Sequence, residues 1–331
     1  MDFHLLLRQI LSIFNGERTI SAPYHLVKGK KSSQTLGDVD LFQLHKYYKI
    51  MPDLTRSTYD EAIATLVSEG HLRYQANNYY TITPTPQQTS ALNGWLYQGL
   101  ERVFFQRLQL VTQTLSQLHH KDMKFIAVSN DVTIQQFVRS FLHSNQYQKQ
   151  DLGQALYQEI VSTLQRANVT EQQKHIIVYR LSGYLQPAQT LEQCALTFQQ
   201  TPITIQLWLT EALHAWLPQC DTPLLQQLQQ GCSVQPSLTH TASETYNLLM
   251  QGYTIDDICR LRQLKQSTIQ DHIVEIARHQ LQFSITPYVS EATIKEVHKA
   301  AQQLQTKRYK NLHEHTGIPY FQIRLAMTRE G

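Results

Sequence analysis

The sequence contains little glycine and proline, which interrupt helices and strands, and little cysteine, which cross-links small folds. Only 12 glycines and 11 prolines occur among 331 residues, a composition that favours helices over a β-rich architecture. The four cysteines form no C-x-x-C pair, which argues against a disulfide scaffold and against a zinc site. They are Cys194, Cys220, Cys232 and Cys259. We expect them to be buried thiols in a reducing, cytoplasmic compartment.

Long apolar runs are also missing. No stretch of the sequence approaches the roughly 20 apolar residues that span a bilayer, so we expect no membrane segment. The apolar N-terminus is interrupted by Asp2, His4 and Arg8 and lacks a cleavage-site pattern. This pattern predicts a helix and not a signal peptide.

Neither sign of charge dominates. The net charge is +3, and 17% of the residues are charged against 41% that are hydrophobic, as in an ordinary folded protein. So small a positive excess permits nucleic-acid binding without requiring it, because the decisive charges of such domains often line one face only.

The familiar catalytic motifs are absent as well. Residues 29–32 read Gly-Lys-Lys-Ser, but a phosphate-binding loop would need a second glycine where Tyr24 stands. The histidines of 119–120, with His313 and His315, lack companion ligands at metal spacing, and we expect them to lie on the surface. The sequence therefore predicts no enzyme, no metal site and no cofactor.

What the sequence does contain is a succession of amphipathic helices, which predicts a mainly α protein. Polar breaks at 84–89 and 229–237 separate three predicted regions. We predict an N-terminal winged-helix-like domain at 1–84, a helical middle domain at 90–228 and a C-terminal helix-turn-helix domain at 237–331.

The first of these regions has the element order of a winged helix. An apolar helical stripe ends at Asn15 and Gly16, a second short helix is predicted around 40–47, and a third ends at Gly70. Two short strands around a polar turn then occupy 72–82, where alternating apolar and polar residues predict a hairpin.

The C-terminal region has the spacing of a helix-turn-helix. A helix is predicted over 241–251, a second over 255–262 with Thr254 as its cap, and a third over 266–279 after a tight turn. Apolar residues fix the third helix on its inner side, so that its outer face can enter the major groove.

Residues 254–273 resemble the recognition units of LuxR-type regulators and the helix-turn-helix attached to some RecQ-family helicases. By this resemblance, one set of side chains faces DNA: Gln266, Ser267, Thr268, Gln270 and Asp271. Lys265 and Arg278 would lie near phosphates. Two residues depart from the pattern: Asp271 is acidic and would repel phosphate unless it accepts a hydrogen bond from cytosine, and Gln263 replaces the usual turn glycine.

Two further segments extend the resemblance to RecQ-family helicases. Residues 317–325 are similar to the end of the helicase-associated module, and the N-terminal region looks like the winged-helix domain that follows the helicase motor. This second likeness would place Lys28, Lys30 and Lys31 on phosphate. It would also place Tyr79 or Tyr80 at the hairpin, where either ring stacks on a base or, as the alternative, packs across the strands.

As a whole, the sequence resembles the accessory regions of a RecQ-type helicase without the motor, as in the YpbB-like proteins of Firmicutes. This likeness implies a non-enzymatic DNA-binding adaptor that works with a RecQ-type helicase in DNA repair or recombination. Two alternatives stay open: a transcription regulator that reads a specific operator, and an adaptor that binds protein only, since a helix-turn-helix can serve purely for packing.

Overall fold

The computed structural model describes residues 1–75, 80–85, 88–122, 124–147, 151–234, 238–280 and 282–329. Helices dominate these ranges, which confirms the prediction of a mainly α protein. In chain order the helices are α1 (Phe3–Phe14), α2 (Ala22–Lys28), α3 (Ser33–Leu41), α4 (Arg56–Ser68), α5 (Gly94–Tyr97), α6 (Glu101–His119), α7 (Val132–Ser144), α8 (Leu152–Arg166), α9 (Glu171–Tyr179), α10 (Leu191–Phe198), α11 (Pro202–Trp216), α12 (Pro223–Leu228), α13 (His240–Met250), α14 (Ile255–Arg262), α15 (Gln266–His279), α16 (Glu291–Leu304), α17 (Tyr309–Thr316) and α18 (Tyr320–Ala326), and the strands are β1 (Leu72–Tyr74) and β2 (Tyr80–Ile82). None of the described helices combines the length and apolar character that a bilayer crossing requires.

The chain divides into two compact units, each built from segments that are not contiguous in sequence. Unit 1 comprises Met1–Asn15, Ile20–Lys30 and His45–Val234. Unit 2 comprises Gly16–Thr19, Lys31–Leu44 and Gln235–Gly331. Helix α3 therefore belongs with the C-terminal helices, whereas α1, α2 and α4 belong with the middle helices. The division into domains at 1–84, 90–228 and 237–331 stays a prediction.

Helix α1 forms where its apolar stripe predicted it. The Asp2 side chain caps the helix by accepting the backbone N–H of Leu5 at 2.7 Å. The helix ends at Asn15, which adopts a left-handed conformation with φ 44°, and Gly16 follows with φ 70°. The Asn-Gly stop was therefore correctly predicted, because these two residues tolerate that conformation best.

The helices that follow differ from the prediction of one short helix around 40–47. Helix α2 starts with Pro23 in its first turn and closes at Gly29 with φ 80°. Helix α3 begins earlier than predicted because Ser32 caps it, its hydroxyl accepting the N–H of Thr35 at 3.2 Å. Only a 3-10 turn remains at His45–Tyr47. Four helices thus precede the hairpin, and the winged-helix assignment stays a prediction.

The predicted hairpin is present. Strands β1 and β2 pair antiparallel, with Leu72 opposite Ile82. Tyr80 is buried and donates its hydroxyl proton to the carbonyl of Leu11 at 2.9 Å, so its ring packs within unit 1 and is not open to a base. Tyr79, the other proposed stacking residue, lies outside the described residues.

Unit 1 is held by an extended apolar core between its middle helices. Phe104 and Trp216 meet edge to face at its centre, and the indole N–H of Trp216 donates to the buried hydroxyl of Thr163 at 2.9 Å. Cys194, Cys220 and Cys232 are buried free thiols, as expected, whereas Cys259 of unit 2 is half-buried. Burial raises the pKa of Cys220 to about 12, which keeps this thiol protonated and unreactive.

One ionisable pair of unit 1 is completely enclosed. The Nε2 atom of His214 lies 3.4 Å from a carboxylate oxygen of Glu101, and neither side chain is exposed. The backbone N–H of Asn93 donates to Nδ1 of His214 at 2.9 Å, so Nδ1 is an acceptor and a ring proton lies on Nε2, facing Glu101. The ring of Tyr97 stacks on His214, with 4.6 Å between the ring centroids.

Unit 2 has two smaller apolar clusters. The first lies between α13, α14 and α15 and includes Ile258, Ile269 and Ile273, all fully buried. The second joins α16, α17 and α18 around Val297 and Leu312. The spacing of apolar residues in the sequence predicts Ile269, Ile273 and Ile276 on the inner side of α15, and all three are fully buried. Cys259, predicted to be buried in α14, is half-buried.

Candidate nucleic-acid interface

The helix-turn-helix begins with a well-capped α14. The hydroxyl of Thr254 accepts the N–H of Asp257 at 3.2 Å, and the Asp257 carboxylate accepts the N–H of Thr254 at 3.1 Å. These hydrogen bonds from Thr254, the hydroxyl first, hold the pKa of Asp257 below its ordinary value. The acidic pair at 256–257 therefore serves the helix N-terminus and needs no catalytic explanation.

The turn between α14 and α15 is tight. Gln263 takes the left-handed position with φ 52°, where the best helix-turn-helix sequences place glycine. A side chain there costs about 1 kcal/mol or more. The N–H of Leu264 donates to the carbonyl of Cys259 at 3.2 Å and closes the turn.

Polar contacts fix α15 against α13 beneath this turn. The hydroxyl of Thr245 lies 2.8 Å from Nδ1 of His272, and both residues are buried. Arg262 of α14 donates to the carbonyl of Thr241 at 2.7 Å and to the carboxylate of Glu244 at 2.5 Å. Burial and, secondarily, the positive charge of Arg262 lower the pKa of His272. These contacts fix α14 and α15 against α13.

Exposure changes sharply along α15. Lys265, Gln266 and Ser267 are exposed, and Thr268 and Gln270 are half-buried. From His272 to Ala277 the helix is enclosed, with only Glu275 half-buried. Helix-turn-helix proteins place the N-terminal residues of the recognition helix on base edges. The open end of α15 thus carries five of the seven side chains predicted to contact DNA in this domain.

Asp271, the acidic residue that departs from the DNA-binding pattern, forms hydrogen bonds within the protein. Its carboxylate accepts a hydrogen bond from Arg324 of α18 at 2.5 Å and another from the Ser33 hydroxyl at 3.1 Å. An ion pair compensates its charge, so the repulsion of phosphate that the sequence suggested is weakened. The geometry gives Asp271 a positioning role between three helices.

Arg278 also pairs within the protein. Its guanidinium lies 3.2 Å from the carboxylate of Asp40, and its side chain is only 12% exposed. Gly37 faces the same guanidinium so closely that a Cβ atom at this glycine would lie 3.2 Å from Nη2 of Arg278. The enclosed end of α15 therefore does not present Arg278 as an open cation.

The three N-terminal lysines predicted to contact phosphate are not brought together in one unit. Lys28 is half-buried in unit 1, donates to the carbonyl of Leu54 at 3.0 Å and lies 5.7 Å above the Tyr24 ring. Lys30 is exposed and belongs to unit 1, whereas Lys31 is exposed and belongs to unit 2.

Sequence reasoning missed how the N-terminal segments complete unit 2. Arg18 donates to Asp38 at 2.8 Å in a buried ion pair, and burial nevertheless raises the pKa of Asp38. The backbone N–H of Lys307 donates to Glu17 at 2.5 Å, and its ammonium donates to the carbonyl of Leu41 at 2.7 Å. In the sequence, the sign that α3 packs against other segments is the pair of aspartates, Asp38 and Asp40, within one short helix.

The described residues contain no group of three or more His, Cys, Asp or Glu side chains able to hold a metal ion. Of the histidines noted in the sequence, His119, His120 and His315 are exposed, as expected, and His313 is half-buried. The ring of His120 stacks on Tyr184 with 4.3 Å between centroids, and Nδ1 of His313 lies 2.7 Å from the carbonyl oxygen of Ile318.

Comparison with known proteins agrees with this geometry. Residues 241–327 match the family model of a helix-turn-helix domain. The chain is also similar to protein YpbB of Bacillus subtilis (strain 168), with 29% identity over 99% of this chain and 97% of that protein. No solved structure matches the chain. These findings confirm the C-terminal helix-turn-helix domain and the YpbB-like resemblance, and the domain type indicates DNA binding. The likeness to RecQ-family helicases stays a hypothesis.

Proposed function

We propose that this protein is a non-enzymatic DNA-binding accessory protein that enters the major groove with the N-terminal end of α15. The observation that supports this best is the change of exposure along that helix, open at Lys265–Ser267 and mostly buried from His272 to Ala277. Helix-turn-helix proteins insert the N-terminal end of their second helix into the groove and so place a few side chains on base edges.

The residues divide into two roles in this proposal. Gln266, Ser267, Thr268 and Gln270 face the base edges, where amide side chains pair with adenine and hydroxyls with several bases. Lys265 precedes the helix, and its ammonium has no partner among the described residues, so it is available to a phosphate. Asp271 and Arg278 act as positioning residues through Arg324, Ser33 and Asp40, and Lys30 is kept as a further phosphate contact.

The low net charge of the chain, +3, suits an accessory role. A protein that neutralises few phosphates binds DNA weakly at physiological salt and gains from a second DNA-bound partner. The resemblance of residues 254–273 and 317–325 to helicase-associated modules favours a RecQ-type helicase as that partner, in DNA repair or recombination. The helical middle region would then dock the helicase.

Fluorescence anisotropy with full-length protein tests the DNA-binding proposal. Forked, duplex and single-stranded oligonucleotides are titrated at several salt concentrations with wild type, Lys265→Ala and the exposed control Lys299→Ala of α16. We expect little sequence preference, a several-fold loss of affinity in Lys265→Ala, a salt slope reduced by about 1, and no change in the control.

The same titrations separate the alternatives. The amides of Gln266 and Gln270 at the open end also suit a transcription regulator, which would prefer one operator over random duplex by at least about a thousandfold. If none of the three DNA forms binds at low salt, the proposal fails and a protein-only adaptor remains. Affinity capture of the intact protein without recovery of a RecQ-type helicase would contradict the proposed partner.

A further inference from the structure

Helix α3 lies alongside the recognition helix although the two are far apart in sequence. The Ser33 hydroxyl donates to Asp271 across 238 residues, and Asp40 pairs with Arg278 at 3.2 Å. Gly37, between them on α3, faces the same arginine. One side of α3 therefore follows α15 for about two turns.

The order of these contacts fixes the direction of α3. Ser33 and Asp40 are seven residues apart, and so are their partners Asp271 and Arg278. The first residue of α3 meets the earlier partner and the later residue meets the later partner. The two helices therefore run parallel, and both begin at the same end of unit 2.

Lys31 reaches the open end of α15 as a result. Ser32, which separates Lys31 from the helix, has an extended backbone with φ −111° and ψ 148°. An extended residue separates the Cα atoms on either side of it by about 6 to 7 Å. Lys31 therefore precedes Ser33, the partner of Asp271, on the side from which α15 also begins. Lys31 is exposed, and its ammonium has no partner in the part of the chain that the structure describes.

The width of the major groove decides what Lys31 can touch. Side chains join α3 to α15, and the guanidinium of Arg278 reaches Gly37 and Asp40 of α3. The major groove of B-DNA is about 12 Å wide and accommodates one helix, so α3 lies outside a groove that α15 occupies, on the side of the sugar-phosphate backbone. A lysine at this position meets phosphate oxygens and not base edges.

We infer that the segment 31–44 is a built-in part of the DNA-binding surface and that Lys31 contacts a backbone phosphate beside the groove entered by α15. This inference rests on the proposed function. It assigns Lys31 to the helix-turn-helix of unit 2, apart from Lys28 of unit 1 and from the hairpin with which the sequence had associated it.

Salt-dependent anisotropy of full-length Lys31→Ala on random duplex tests the inference, with Lys31→Arg as the charge-retaining variant and Lys299→Ala as the control. We expect Lys31→Ala to weaken binding about three- to tenfold on every duplex and to reduce the salt slope by about 1. Lys31→Arg should bind as wild type does. Thermal melting of all three variants should be unchanged, because both lysines are exposed.

The outcomes distinguish the two proposals. If Lys265→Ala weakens binding while Lys31→Ala leaves affinity and salt slope unchanged, the inference fails and the proposed function stands. If Lys31→Ala alters binding to one sequence only, a base contact replaces the phosphate contact and the inference is overturned. If the wild type binds no duplex, both proposals fall.

Discussion

The two compact units shield different kinds of ion pair: unit 1 encloses the His214–Glu101 pair, and unit 2 shields pairs of arginine with aspartate. The Arg–Asp and Lys–Glu bridges of unit 1 lie on its surface, as in Arg56–Asp60, whose side chains are 48% and 53% exposed. In unit 2 two Arg–Asp pairs are shielded: Arg18–Asp38 is 9% and 7% exposed, and Arg278–Asp40 is 12% and 30% exposed, whereas Arg260–Asp257 lies on the surface, 77% and 38% exposed. The Arg278–Asp40 pair joins helices that are far apart in sequence.

This difference suggests a division of labour. Unit 1 coheres through a large apolar core, and exposed bridges of the Arg56–Asp60 type add little to the free energy of unfolding. Unit 2 has smaller apolar clusters, and the pairs Arg278–Asp40 and Arg324–Asp271 hold α3 and α18 against α15. Shielded pairs of this kind fix position more than they add stability, and losing one partner is costly. The orientation of α15 should therefore depend on residues that do not touch DNA.

The largest effect should come from Ile269→Asp, which places an unpaired charge in the core of unit 2. We expect a loss of about 4 kcal/mol or more in the free energy of unfolding of unit 2. All three tryptophans lie in unit 1, so tryptophan emission should stay native while the helical circular dichroism signal falls. Ser267→Asp, at an exposed position, is the control; native helix content in Ile269→Asp would contradict the assigned core.

A smaller loss is expected from Asp40→Ala. It leaves the Arg278 guanidinium shielded and unpaired, at a cost of about 1 to 2 kcal/mol because Asp40 is partly exposed. Chemical denaturation followed by circular dichroism measures the change, with Asp53→Ala as the matched control, since Asp53 pairs with Arg102 on the surface of unit 1. An equal loss in the free energy of unfolding for the two variants would contradict the difference between shielded and surface pairs.

Gln263→Gly should act in the opposite direction. The left-handed turn position favours glycine, so this variant should gain about 0.5 to 1 kcal/mol in the free energy of unfolding of unit 2. The melting transition of the helical signal reports the gain, and the tryptophan transition of unit 1 should not move. A destabilised variant would show that the Gln263 side chain makes a favourable contact.

The smallest effect concerns pH and a single histidine. Because burial lowers the pKa of folded His272, the unfolded chain takes up the proton first as pH falls below the ordinary value of 6.5. Its contribution to stability is therefore present above pH 6.5 and is lost as pH falls through that value toward the folded pKa. His272→Gln should flatten the decline of unit 2 stability between pH 7.5 and 5.5. An unchanged pH dependence would exclude His272 as its source.

Local signals in the sequence were sufficient for the elements of the helix-turn-helix. Thr254 predicts the start of α14, and the spacing of Ile269 and Ile273 predicts the buried side of α15. Periodicity cannot reveal which distant segment covers a helix, so the pairing of Asp40 with Arg278 was out of reach. For the same reason Asp271 and Arg278 looked open to DNA, although the structure shows both engaged within unit 2.

The central claim is that DNA meets the N-terminal end of α15, and hydrogen–deuterium exchange with and without a random duplex tests it most directly. The first amides of a helix have no intrahelical partner and exchange quickly unless a ligand covers them. The account predicts DNA-dependent protection over residues 265–267, accompanied by 31–34, and little change over 272–277, which is already enclosed. Binding without protection at 265–267 would contradict it.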